Sequence, residues 1–141
     1  MNIETALGIA HRVYATQTTA DGLPYMFHVM RVADAFRDDD RACIVALLRY
    51  AVRDGDLTLQ DMIDNGATVE QAEALRAAVP EAGEDFDAWL ERAKFNATAR
   101  EVLAQTFIDK LRVYKGQTSV ELERVAQALR KLDKKQTIYG G

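Results

Sequence analysis

Residues 45–62 read VALLRYAVRDGDLTLQDM, and the middle of this stretch decides how the chain is understood. Ile44, Val45, Ala46, Leu47 and Leu48 are apolar without a break, as a fully buried segment is. Arg49 and Tyr50 then interrupt the run. Arg53 and Asp54 follow one helical turn later, and Gly55-Asp56 has turn chemistry. An arginine at the end of the most apolar helix either extends its stem to solvent or finds a partner inside the protein. No alternating strand pattern persists anywhere in the chain, and only Pro24 and Pro80 interrupt it as prolines. The expected fold is all-α, a compact helical bundle.

Working outward, helical spacing predicts a first helix from about Ile3 to Gln17, carrying Ala6, Leu7, Ala10, Val13 and Tyr14 on one face. Asp21-Gly22 reads as a turn, and Pro24 opens a second helix to about Arg37. Asp38, Asp39 and Asp40 form a solvated connection, one of them capping the next helix, from about Arg41 to Arg53. Thr58 caps a short helix, and another covers Thr68 to Ala78 before Pro80. Phe86, Trp89, Leu90 and Ala93 share a stripe, which makes Trp89 core. Asn96 caps a long helix ending near Gly116, and a last helix runs from about Ser119 to Leu132. Residues 1–132 are expected to form a single domain, with 133–141 a frayed tail.

Composition narrows the function classes. A hydrophobic share of 48% is enough for a core and excludes wholesale disorder. A net charge of −4, with acids and bases interspersed, argues against nucleic acid as the partner. No apolar stretch reaches membrane-spanning length and no signal-peptide pattern is present, so no membrane association and a cytoplasmic location are expected. Cys43, the sole cysteine, sits inside the apolar run and reads as a small buried hydrophobe.

Three polar residues fall where apolar ones are expected. His28 shares a face with Tyr25, Val29, Val32 and Phe36. Asp109 lies in line with Val102, Thr106 and Val113. Arg49 follows Leu48 and shares a ridge with Arg53. Each is costly to bury alone, so together they predict a polar pocket between three helices.

These residues also carry a resemblance. ALGIA (6–10), Thr16-Gln17 and GLPYMFHVMRVA (22–33) follow the pattern A-L-x-I-A, G-Q, G-x-P-Y-x-x-H-P-x-R-V-A. ALLRYAVRDG (46–55) aligns with A-L-L-H-D-x-V-E-D-T, and TFIDKL (106–111) with V-K-x-x-D-x-L. In this the chain resembles the HD-domain superfamily, specifically the small helical hydrolases related to RelA/SpoT guanosine polyphosphate pyrophosphohydrolases. The resemblance implies an HD-type helical bundle. In that family one divalent metal, typically manganese, is held by a histidine, a His-Asp pair and a later aspartate, and it acidifies water beside a phosphate.

The departures alter what the resemblance implies. The four ligand positions correspond to His28, Arg49, Tyr50 and Asp109, so only two ligands remain. Arg53 replaces the glutamate assigned to activating water, while Asp54 keeps its partner. Val29 replaces the proline after the histidine, Thr106 the lysine before the aspartate, and Thr19 and Ala20 the basic loop residues that meet the nucleotide. No intact catalytic set and no metal cofactor are expected. Arg49 is expected to stand in for the metal and pair with Asp109.

Three functions compete at this point. In the first, a catalytically inactive HD-type domain binds a nucleotide or another phosphate-bearing molecule through Arg49, Tyr50, Arg53 and Asp54. In the second, the old site is filled by its own side chains and an outer face binds a protein, perhaps a second copy. In the third, a residual hydrolase uses a shifted metal site of His28, Tyr50, Asp54 and Asp109, with His11 as a further ligand.

Overall fold

The computed structural model describes residues 1–19, 22–113 and 123–132, and among these every regular element is a helix. In chain order they are α1 (Ile3–Tyr14), α2 (Tyr25–Asp34), α3 (Asp40–Arg53), α4 (Leu59–Asp64), α5 (Val69–Ala77), α6 (Phe86–Ala93) and α7 (Ala97–Val113). A further helix, α8, spans 123–132. The expected all-α class is therefore the observed one. The expected tail at 133–141, the end near Gly116, the start near Ser119 and the residues Ala20 and Asp21 lie outside the described residues.

The centre is α3. It packs on α1, α2, α5 and α7, so it has no solvent face along most of its length. Its sequence allows this, because Ala42 to Leu48 is uninterrupted apolar residues, and Ala42 to Ala51 is buried without a break. The helix starts where the Asp39 carboxylate accepts from the Ala42 amide at 3.1 Å. It stops in a Schellman arrangement. Gly55 N–H donates to the Val52 carbonyl at 3.2 Å, and Asp56 N–H to the Ala51 carbonyl at 3.0 Å. Gly55 sits at φ +81°, which a side chain at that position would disfavour.

Two expected helix ends move, each for a reason visible in the backbone. The first helix ends at Tyr14 rather than Gln17, because the chain folds back on itself there. Tyr25 N–H donates to the Gln17 carbonyl at 2.9 Å, and Thr19 N–H to the Leu23 carbonyl at 2.8 Å. The second ends at Asp34 rather than Arg37. Ala35 and Phe36 amides close tighter turns onto Val32 and Ala33, freeing the chain to reach the Asp39 cap. Two caps match expectation, Thr58 accepting from Asp61 N–H and Asn96 from Ala99 N–H, while Thr68, expected inside its helix, is the cap and accepts from Gln71 N–H.

A second cluster, of Trp89, Leu90, Ala93, Leu103, Phe107, Ala128 and Leu132, joins α6, α7 and α8. The link from α6 to the end of α5 is polar. Trp89 Nε1–H donates to the Ala77 carbonyl at 3.1 Å, and Arg92 to the Arg76 and Val79 carbonyls at 3.0 and 2.8 Å. These satisfy carbonyls that the end of a helix leaves without partners. Among the described residues no helix is long and apolar enough to cross a membrane.

The burial of α3 has a direct energetic consequence. Leu48 is 0% exposed. Leu48→Ala is expected to lower the unfolding free energy by about 2–5 kcal/mol, read from urea denaturation. Asp38→Ala, at an exposed position, is expected to change it by less than about 0.5 kcal/mol.

Candidate functional site

Three helices bring the inward polar residues together. α2 supplies Tyr25, His28 and Arg31, α3 supplies Arg49, Tyr50 and Arg53, and α7 supplies Asp109 and Lys110. His28 faces inward because it lies on the same stripe as buried Val29 and Val32. Asp109 does so because it extends the buried line of Val102 and Thr106. α2, α3 and α7 all touch one another, so these stripes meet.

At the meeting point His28 lies between Asp109 and Tyr50. His28 Nδ1 is 2.5 Å from Asp109 Oδ2, and Nε2 is 3.1 Å from the Tyr50 hydroxyl. A carboxylate only accepts, which assigns the ring proton of neutral His28 to Nδ1 and makes Nε2 the acceptor for the Tyr50 O–H. Asp109 is also clamped by Arg31, whose Nε donates to Oδ1 at 2.8 Å and Nη2 to Oδ2 at 3.1 Å. Burial pushes the His28 pKa down and outweighs the opposing pull of Asp109, so the imidazole is neutral at pH 7. Burial pushes the Asp109 carboxyl up, but the bonds from Arg31 and His28 outweigh it and hold it below its ordinary value.

Tyr50 is the other pole of the site. Burial opposes ionisation of its phenol, yet Arg49, Lys110 and Arg53 together outweigh burial and lower its pKa. Both guanidinium carbons lie over the Tyr50 ring, Arg49 at 4.1 Å and Arg53 at 4.3 Å from its centroid. The Tyr25 ring packs edge-on against that of Tyr50 at 5.0 Å. Tyr25 is shifted the opposite way, first by burial and then by Tyr50.

A third tyrosine reaches into α3. The Tyr14 hydroxyl donates to the Leu47 carbonyl at 3.1 Å and accepts from the Ala51 amide at 2.9 Å. Those two groups are four residues apart, the pair that an undistorted helix joins directly. Tyr14 thus bridges the α3 ladder at the turn that carries Arg49 and Tyr50. From sequence Tyr14 is only one apolar stripe residue; its hydroxyl is the feature that periodicity does not read.

The expected pairing of Arg49 with Asp109 is corrected. Asp109 is taken by Arg31 and His28, and Arg49 points instead toward α5, donating to the Ala78 carbonyl at 3.5 Å. The sequence did contain a signal for Arg31. It lies one turn after His28, so both reach one carboxylate. Snorkelling to solvent is excluded as well, because Arg49 is 3% exposed. Arg53 and Asp54 lie at the exposed rim, joined to one another at 2.8 and 3.3 Å. The shifted set of His28, Tyr50, Asp54 and Asp109 is not assembled: among the described residues no three His, Cys, Asp or Glu side chains form a group able to hold a metal ion. His11 is exposed, away from the buried cluster.

The residues do not fit a divalent metal. Of the ligand types that remain, His28 has both nitrogens engaged, and both Asp109 oxygens carry the Arg31 guanidinium. Binding a cation there requires breaking these bonds in a field made positive by Arg49, Arg53 and Lys110. No protein-family profile matches this chain, and no curated protein matches it significantly.

Two measurements check this geometry. In double-mutant cycles, Arg31→Met with Asp109→Asn is expected to show a coupling of about 1–2 kcal/mol, because Arg31 is partly exposed. Arg49→Met with Asp109→Asn is expected to couple by less than about 0.5 kcal/mol. The pH dependence follows from His28. Its folded pKa lies below 6.5, so as pH falls through 6.5 the unfolded chain takes up the proton first and stability falls. Unfolding measured between pH 7 and 5 should show this loss, and His28→Gln should flatten it.

Proposed function

We propose that this chain is a degenerate HD-type domain without metal-dependent phosphohydrolase activity, which binds a phosphate-bearing small molecule, a nucleotide being the natural candidate. The observation that carries this reading is Arg49. It is a nearly fully buried guanidinium that has no carboxylate partner among the described residues and lies over the Tyr50 ring, as the Arg53 guanidinium also does. A buried cation of this kind favours an anionic ligand. The residues at the matched ligand positions also support loss of hydrolysis. Tyr50, His28 and Asp109 bond to one another, and Arg53 has no capacity to serve as the base for water. A cytoplasmic location belongs to the same proposal.

A second reading has its own observation. Leu23, Phe27 and Met30 are exposed on and just ahead of α2, Phe27 by 53%, as an interaction face would be. Light scattering after size exclusion separates the two readings. A dimer lost in Phe27→Ser favours the interaction module.

Thermal-shift and calorimetric measurements test the main reading. A nucleoside phosphate that binds is expected to raise stability by about 2.7 kcal/mol at one hundred times its Kd, without release of phosphate. Manganese is expected to show no one-to-one binding. Arg49→His with Tyr50→Asp restores the family's ligand types and is expected to gain manganese affinity while remaining a poor hydrolase. Tight stoichiometric manganese in the unaltered protein, with phosphate release, would overturn the proposal.

A further inference from the structure

A groove runs between α7 and α8. Arg100, Ala104 and Ile108 fall four residues apart along α7, so they form one half-buried ridge, which helical geometry turns away from Asp109. From α8 come Leu129, Arg130 and Leu132. The cavity between the two helices measures about 360 Å³. Its apolar wall continues the second hydrophobic cluster, because Ala104 and Leu129 pack against the group that holds Leu103, Phe107 and Leu132.

The polar side chains at this cavity are mainly cationic. Among the described residues lining it, Arg100 and Arg130 supply two guanidiniums against the one carboxylate of Glu101. Arg100 is held in place by a bond from Nη1 to the carbonyl of Lys94, at the end of α6, at 3.3 Å. Its Nε is a buried donor with no acceptor among the described residues. Such a donor is rare in a folded protein and calls for a partner. Arg130 pairs with Glu123 at 3.2 Å, but both side chains are largely exposed, so solvent screens the attraction.

An apolar cavity with a few polar groups beside it has the form of a small-molecule site, and this volume lies at the small end of the usual range. Hydrocarbon that covers the exposed apolar wall is stabilised by leaving water. The two guanidiniums then choose among apolar ligands by head group. A carboxylate accepts charge-assisted bonds from them, an alcohol makes weaker ones, and an ammonium is repelled. The chain's own residues 133–141 carry Lys134 and Lys135, whose charge opposes that of the arginines.

We propose that this groove binds a small aliphatic carboxylate, with its hydrocarbon chain on Ala104, Ile108, Leu129 and Leu132 and its head group on Arg100 and Arg130. The site is separate from the His28–Asp109 contact and does not depend on the nucleotide reading.

The test is calorimetric titration of the full chain with octanoate, and in parallel with hexanoate, octanol and octylammonium. Octanoate is expected to bind at one saturable site. Hexanoate is expected to bind about fivefold to tenfold more weakly, since two methylenes leave a groove that stays partly open. Octanol is expected to bind about tenfold more weakly than octanoate, and octylammonium not at all. Arg100→Gln is expected to weaken octanoate about tenfold and leave octanol little changed. Leu129→Asp is expected to abolish octanoate binding. Leu129 packs on the second cluster, so if that variant does not fold, Arg100→Gln and the ligand series on the unaltered chain decide the matter. Amide NMR shifts on adding octanoate are expected at Ala104, Ile108 and Leu129. No saturable octanoate binding, octanol or octylammonium binding as tightly, or shifts confined to other helices overturns the inference. Shifts of the same amides with protein concentration alone, together with a dimer by light scattering, also overturn it and give the groove to a second copy.

Discussion

The structure depends on α3 being enclosed on all sides. A helix packed by α1, α2, α5 and α7 has no face on which to park a polar side chain, so every polar atom it carries in the interior needs a partner there. Tyr50 finds His28, and the backbone of the same turn receives the Tyr14 hydroxyl between Leu47 and Ala51. His28 in turn needs Asp109, and Asp109 needs Arg31. The chain of bonds ends only where it reaches a side chain with access to water. Placing one tyrosine in the central helix thus organises residues from three others.

Charge is sorted along this chain rather than paired at one point. The carboxylate of Asp109 is compensated from α2, while the cations Arg49 and Arg53 cluster at the last turns of α3, where the helix dipole favours them. Neutral His28 and the Tyr50 phenol separate the two regions. A neutral imidazole passes a hydrogen bond from one side to the other without adding a charge to desolvate. The cost is concentrated at Arg49, whose acceptor among the described residues is a single carbonyl at 3.5 Å. A charge left in that condition in a folded interior is a reason to look for a ligand, since stability alone is better served by an apolar residue of similar size.

The candidate site is partly legible in the sequence. Spacing alone put His28 and Asp109 on inward faces, because burial follows helical periodicity and both residues interrupt apolar stripes. Arg49 was correctly placed inside, at the end of an unbroken apolar run. Its partner was not legible. Periodicity assigns a face to a residue but says nothing of which neighbouring helix that face meets, and the Arg49 face meets α5 at Ala78 while Asp109 lies on α7. Periodicity also gives no sign of Arg31, for a related reason. Its stem reaches sideways along α2, so a residue on a half-exposed face can still bond to a buried carboxylate.

What the sequence determined by itself is local. Helical period, the capping residues Asp39, Thr58, Thr68 and Asn96, and the glycine at Gly55 place most elements to within a few residues, because caps and turns are made by neighbours in the chain. The ends of α1 and α2 were misplaced where backbone groups of one segment bond to another, as Tyr25 does to Gln17. The pairing of charges was decided only by the tertiary structure. Helix directions and side-chain reach choose among several possible partners of opposite sign, and here they give Asp109 to Arg31 and leave Arg49 beside Tyr50 without a carboxylate among the described residues. Coulomb attraction is too unspecific to make that choice from sequence, since any cation on any adjoining face satisfies it equally well.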